Sequence, residues 1–358
     1  MADRRAPAVS LVCTVLNEAA TVGDLMRSIA AQTVRPHEVI VVDGGSRDGT
    51  QLHVEWWHGR LGCPLRLIEL PGANISTGRN AGIAAARFPI VAITDAGVRL
   101  DAHWLERIIA PFSDETVSVS AGWFVAEPCS TFEVAMGATV LPQVDEIDPA
   151  TFLPSSRSVA VRKPAWERVG GYPEWLDYCE DVVFDLALRG AYQRFAFAPE
   201  AIALFRPRTT LRAFWRQYFR YARGDGKAGL WPKRHAIRYL TYGGLLGVVL
   251  LSKRGMLAWP LVLAGIFAYL RRPYARLRPS LPPLSPAQRA ETIALVPLIR
   301  AAGDAAKMCG YPVGVAWRLR QHGFGWTWTD APIPSPDTGQ APLPEGATSI
   351  GDAAIMSD

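Results

Sequence analysis

The sequence predicts an α/β fold: a mainly parallel sheet with helices on both faces, followed by a basic helical segment. Two observations carry that expectation. Short, β-branched apolar runs alternate with amphipathic helical patterns through the first two hundred residues, as strands and crossover helices do. After about residue 206 the character changes to basic, aromatic and helical. A third observation narrows the class: no GxGxxG follows the first strand, which speaks against a dinucleotide fold.

The elements follow in order. VSLVCTV (9–15) is too short and too β-branched for a helix, whereas TVGDLMRSIAAQ (21–32) sets Val22, Leu25, Met26, Ile29 and Ala30 on one helical face. EVIVVD (38–43) is a second strand, DGTQLHVEWW begins a helix, and LRLIEL (65–70) is a third strand. STGRNAGIAAA (76–86) reads as a helix capped by Ser76 or Thr77. IVAIT (90–94) is the fourth strand and HWLERIIAPF (103–112) the next helix.

Composition bounds the remainder. The chain has 358 residues, 49% of them hydrophobic, enough for one large or two modest domains. Five scattered cysteines without a CxxC pair argue against a disulfide framework or structural zinc and favour a reducing compartment. MADRRAPAVS opens the chain without the apolar core of a secretory signal. The net charge of +5 is uneven: residues 206–278 hold sixteen Lys and Arg against one acid, Asp225. Such a block suits nucleic acid or an anionic membrane surface, and the apolar stretches inside it favour the membrane. The two runs, 239–251 and 256–270, fall short of the ~20 residues of a perpendicular span. They read as a hairpin, a re-entrant pair or interfacial helices, with Tyr239, Tyr242, Trp259 and Tyr269 as interface anchors, or as a buried core hairpin.

Open parallel sheets bind ligands beyond the carboxyl ends of their strands. That rule singles out Asn17 and Glu18 after the first strand, Asp43 after the second and Asp95 after the fourth. Three acidic strand ends suit a ligand rich in hydroxyls, amides or cations.

Five segments in this order resemble a family 2 glycosyltransferase of the GT-A fold: VCTVLNEAATVGDLMRSIAAQT, EVIVVDGGSRDGT, GRNAGIAAA, TDAG and GGYPEWLDYCEDVVFDLALRG. The resemblance covers roughly residues 9–225 and implies sugar transfer from a nucleoside-diphosphate-sugar donor to a lipid-linked or polysaccharide acceptor, with inversion. It implies donor-binding roles for Asn17, Glu18, Asp43 and Arg79, although Asp43 also reads as a turn residue and Arg79 as a solvated helix arginine. Asp48 and Thr50 read as helix caps. Asp181 is the implied general base with Glu180 beside it, and the pair equally suits a helix N-terminus. In TDAG, Gly97 stands where the family carries a second aspartate, so Asp95 alone would hold Mg²⁺ or Mn²⁺, with donor phosphates and waters completing the shell. Arg206 and Arg208 could add charge to the leaving group. Gln217, Arg220 and Tyr221 resemble the Gln-x-x-Arg-Trp of membrane-bound polysaccharide synthases and imply an acceptor site, or they simply pack an amphipathic helix.

The expected organisation is a catalytic domain (1–205), a basic interfacial helix (206–235), a membrane-associated apolar hairpin (236–272), a Pro-rich link with a mixed helix (273–328) and a disordered tail (329–358). Attachment to the cytosolic face of the plasma membrane is expected, with no nucleic-acid partner. The alternative is a membrane-bound nucleotide-sugar-binding protein whose catalysis has eroded.

Overall fold

The computed structural model of the protein describes residues 7–192, 194–251 and 259–331. The helices are α1 (Val22–Ala30), α2 (Thr50–Glu55), α3 (Ile75–Ala85), α4 (Trp104–Ile109), α5 (Thr131–Val140), α6 (Lys163–Arg168), α7 (Glu180–Ala191), α8 (Leu211–Ala228), α9 (Pro232–Leu251), α10 (Trp259–Leu277) and α11 (Pro286–His322). The strands are β1 (Val9–Val15), β2 (Glu38–Asp43), β3 (Leu65–Glu69), β4 (Ile90–Asp95), β5 (Val98–Leu100), β6 (Val119–Ala126), β7 (Val159–Arg162) and β8 (Phe195–Phe205). They form one sheet in the order β3-β2-β1-β4-β7-β6-β8-β5.

The first four strands are parallel, with β1 between β2 and β4. β7 then runs antiparallel to β4, β6 antiparallel to β7, and β5 antiparallel to β8. The expected parallel sheet is therefore half of a mixed one. Register matters for function: Val15 lies opposite Asp43 and Thr14 opposite Asp95, so both aspartates flank the end of β1 on one edge.

Alternation along the strands feeds two cores. Leu11 and Cys13 face a cluster with Leu25, Met26, Ile29 and Trp104, while Val12 faces one with Ile40, Ile83, Ile93 and Phe184. Trp104 is fully buried, and its Nε1 donates to Ser158 Oγ at 2.8 Å, so this large ring is buried without an orphaned donor.

The chain divides into two compact units, and the C-terminal one joins Ala126–Glu146 to Arg206–Ala331. Its core gathers Phe214, Leu277, Val296 and Ile299 with Ala135 and Met136 of α5. α8 and α11 approach backbone to backbone at Gly226, Gly310 and Gly314, where an added Cβ would collide with main-chain atoms of the facing helix. α11 runs for 37 residues from a capping box of Ser285 and Gln288, through Pro297 and Pro312. Among the described residues no helix is long and apolar enough to cross a membrane. The expected tail lies outside the described residues beyond Ala331.

Candidate functional site

Two loops at the carboxyl edge of the sheet are stitched together. Asn17, at φ 55°, accepts from Arg47 N at 2.9 Å, while its own N–H donates to Ser46 Oγ at 2.8 Å. Glu18 N donates to Thr50 Oγ1 at 2.8 Å, and the Glu18 carboxylate accepts from Thr21. Asp48 accepts from Ala19 N at 3.0 Å and from Thr50 N at 3.1 Å, so its capping role extends to bracing the neighbouring loop. Those hydrogen bonds, that to Thr50 Oγ1 foremost, hold its carboxyl below the ordinary range.

Asp43 is fully buried at the end of β2. Its carboxylate accepts from Ser46 N at 3.1 Å, Ser46 Oγ at 2.5 Å and Gln51 Nε2 at 2.5 Å. It holds the shape of the loop, and a nucleotide group meeting it would share an acceptor already in use.

The second half of the site is built on α3. Its N-cap is Asn74, which accepts from Thr77 N at 2.9 Å, rather than Ser76 or Thr77. From its middle turn Arg79 projects a buried guanidinium that bridges two elements distant in sequence. Nη2 donates to Asp95 Oδ1 and Nη1 to Glu180 Oε1, each at 2.7 Å. Burial disfavours the Arg79 charge, but Asp95 and Glu180 outweigh it and its pKa is raised. Asp95 is likewise disfavoured by burial, yet Arg79 and then Arg157 pull its pKa below the ordinary value. Arg79 is therefore no solvated helix arginine.

Asn80, next along, fixes the loop that precedes α7. Its Oδ1 accepts from Tyr172 N at 2.8 Å and from Trp166 Nε1 at 3.1 Å, and its Nδ2 donates to Tyr172 O at 2.9 Å. Gly171, at φ 75°, leaves room for that amide, since a Cβ there would meet Asn80 Oδ1 at 2.6 Å. The loop ends in Cys179 at φ 66°, from which Glu180 and Asp181 open α7.

The two adjacent carboxylates differ. Glu180 is buried and paired with Arg79. Asp181 is half-buried, accepts from Val182 N at 2.9 Å and makes no ion pair among the described residues. Burial first and Glu180 second push its carboxyl up to about 7, against Arg79 and Arg157. One turn on, Asp185 is also raised by burial and by Asp181, and its Oδ2 has no hydrogen-bond partner among the described residues. An acid poised near neutrality beside paired charges can accept a proton at physiological pH.

Sequence reasoning missed Arg157. Its Nε lies 4.0 Å from Asp95 Oδ2, and its guanidinium sits over the Phe205 ring at 5.1 Å. The loop before β7 has no periodicity that could single it out. Arg206, Arg208, Gln217, Arg220 and Tyr221 all belong to the C-terminal unit. Within it Arg206 pairs with the buried Glu133 carboxylate, Nη2 at 3.0 Å and Nε at 3.1 Å, and Gln217 Nε2 donates to Tyr221 OH at 2.6 Å.

No three His, Cys, Asp or Glu side chains converge as metal ligands among the described residues. Asp95, the carboxylate expected to meet a cation, has its Oδ1 already occupied by Arg79. That donor set does not suit a resident metal. It suits a hard cation that arrives with phosphate oxygens of its own.

The sheet's parallel half ends in Asp43 and Asp95, and one arginine draws an acidic helix start to Asp95, the arrangement that the GT-A resemblance implies. Residues 10–158 match the sequence profile of Glycosyl transferase family 2. A dodecaprenyl-phosphate galacturonate synthase of Rhizobium johnstonii is 32% identical over 119 residues, 32% of this chain and 35% of that protein. A pre-mycofactocin glycosyltransferase of Mycobacterium tuberculosis is 28% identical over 255 residues, 68% of this chain and 52% of that protein. The matches thus span about a third and a half of those two relatives. Among solved structures, a mannosyltransferase of Pyrobaculum calidifontis in complex with GDP-Man and Mn²⁺ shares the fold at TM-score 0.53 and 19% identity, over 89% of this chain and 88% of that one.

Proposed function

We propose that the protein transfers a sugar from a nucleoside-diphosphate-sugar donor to a hydroxyl of a lipid-linked or polysaccharide acceptor, with inversion. The observation that carries this reading is the division of labour at the start of α7: Arg79 neutralises Glu180 and leaves Asp181 as the unpaired, near-neutral acid. Asp181 takes the acceptor proton as the acceptor oxygen attacks the anomeric carbon. The bond from that carbon to the diphosphate breaks on the opposite face, and the nucleoside diphosphate leaves with the electron pair. Asn17, Glu18 and Asp43 frame the nucleoside, and Arg79 orients Asp95 at the diphosphate. Gln217, Arg220 and Tyr221, all on α8, are the acceptor contacts of this reading. Mg²⁺ or Mn²⁺ supplies charge neutralisation to the leaving diphosphate when bound, with Asp95 as its protein ligand. The basic, apolar α9 and α10 attach the chain to a membrane from the cytosolic side, as the excess of arginine around them favours.

The test is a donor panel on the purified full chain, reading thermal shift and sugar transfer with and without Mg²⁺ or Mn²⁺. A donor raises the midpoint, because a ligand of the folded state alone stabilises it. Cation binding is weak alone and strong with donor, and Asp95→Ala loses both responses. Tight cation binding without nucleotide would overturn the assignment of Asp95 as sole ligand. Donor binding without any hydrolysis or transfer would favour the non-catalytic reading.

A further inference from the structure

A cavity of about 330 Å³ opens within the C-terminal unit, and none of the residues lining it is assigned to the reaction above. Its walls include Thr139, Tyr269 and four arginines, Arg271, Arg272, Arg276 and Arg300. One carboxylate answers them: Glu146 takes Arg276, with Nη2 at 2.8 Å and Nε at 2.9 Å. Arg271, Arg272 and Arg300 pair with no carboxylate among the described residues. The Arg300 guanidinium lies over the Tyr269 ring at 4.6 Å, and its buried Nε meets no hydrogen-bond acceptor among the described residues. Arg271 and Arg272 are exposed, Arg300 is half-buried, and Arg272 also acts on Glu146, so four guanidinium groups around one concave space share a single carboxylate, and an anion entering the cavity relieves their mutual repulsion. Arginine meets phosphate oxygens, like carboxylates, with two parallel donors, and a phosphate monoester brings the larger negative charge to a site of several guanidinium groups.

The surroundings indicate what the anion is attached to. On α10, Leu263, Phe267 and Arg271 follow one another at four-residue spacing and share one face. Leu263 is 62% exposed and Phe267 74%. An exposed apolar strip thus leads along the helix to the mouth of an arginine-lined cavity. The volume is at the lower end of the roughly 300–1,000 Å³ typical of small-molecule sites. It suits a compact head group, with the rest of the ligand outside on the strip.

We propose that this cavity binds the phosphate head of an amphiphile whose hydrocarbon chain lies along the Leu263–Phe267 face of α10. This site stands on α10, α11 and Thr139 and is independent of the sugar-transfer reading.

The test uses the full chain and two probes, inorganic phosphate and decyl phosphate below its micelle concentration, with binding followed by calorimetry. Decyl phosphate is expected to bind at least ~10-fold more tightly than inorganic phosphate, on the scale of burying a few methylenes. Arg272→Ala with Arg300→Ala should remove binding of both probes. The exposed Phe267→Ser should remove the advantage of the alkyl chain and spare phosphate. Equal affinity for the two probes, or no binding of decyl phosphate, overturns the proposal, as does binding unchanged in the double arginine variant with its thermal midpoint intact. Should that double variant unfold, the exposed Arg271→Glu replaces it, with weaker binding of both probes expected.

Discussion

The two units handle arginine in opposite ways. In the N-terminal unit Arg79 is enclosed by Asp95 and Glu180, and its charge is answered at both ends of the guanidinium. In the C-terminal unit four arginines share one cavity and one carboxylate. The first arrangement is complete without a ligand and works as a strut, holding the end of β4 to the start of α7. The second is incomplete and works as a receptor. Arginine content alone does not tell these roles apart; the count of facing carboxylates does.

The largest effect should come from breaking the strut. Arg79→Ala leaves two carboxylates without their counter-ion, and removing one partner of a buried pair costs about 3–5 kcal/mol. Because Asp95 is partly exposed and Arg157 is near, the lower end is expected, read from the denaturation midpoint. The matching change in the cavity, Arg272→Ala, removes one of several like charges and should stay within about 0.5 kcal/mol of the parent in the absence of phosphate. Similar losses in both variants would erase the distinction between strut and receptor.

Next in size is the acid that the strut leaves unpaired. Asp181→Asn should lower transfer by about 10²-fold or more with donor binding kept. With the Asp181 carboxyl pushed up to about 7, the acid limb of kcat/KM should turn near that pH, and the turn should vanish in the variant. The stability sign follows from the same shift. A carboxyl whose folded pKa lies above its unfolded value contributes stability below the unfolded pKa of about 4, and that contribution is lost as pH rises through the folded one. Asp181→Asn should therefore gain stability over the parent above pH ~7, with the gap closing toward pH ~4. A variant with normal turnover removes Asp181 from the mechanism.

The same contrast marks what the sequence could disclose. β1, β2 and β4 were legible because each is an unbroken apolar, β-branched run, and with them came Asp43 and Asp95 at one edge. β6, β7 and β8 were not, since WFVAE, VAVR and FAFAPEAIALF carry neither clean alternation nor turn signals at their ends. The Arg79 bridge spans 101 positions to Glu180, a separation that no local pattern encodes, and Arg157 sits in a loop without period. α11 runs on through Pro297 and Pro312, residues that elsewhere end or kink a helix. Helix packing overrides them: Gly310 and Gly314 let α8 lie against the α11 backbone on both sides of Pro312. The cavity was invisible for a related reason. Arg271, Arg272 and Arg276 were counted as part of a uniformly basic block that stops short of Arg300, and only the packing of α5, α10 and α11 converts a composition into a site.

The smallest expected effect tests whether α8 belongs to the scaffold or to the reaction. Tyr221 is half-buried, its ring lies 5.7 Å from that of Tyr218, and its hydroxyl accepts from Gln217. A ring held by a neighbouring aromatic and an amide is already oriented, as a platform for a sugar face needs to be. The same contacts also suit a ring that only packs. Tyr221→Phe keeps the ring and loses the Gln217 hydrogen bond, so it separates orientation from surface. If the ring meets the acceptor, Tyr221→Ala should raise the acceptor KM about 5- to 10-fold, the worth of roughly 1–1.5 kcal/mol of aromatic contact. Donor hydrolysis and the thermal midpoint should hold, and Tyr221→Phe should keep most of the transfer. If Tyr221→Ala instead lowers hydrolysis, transfer and midpoint together, the ring is part of the α8 packing, and the acceptor is held elsewhere.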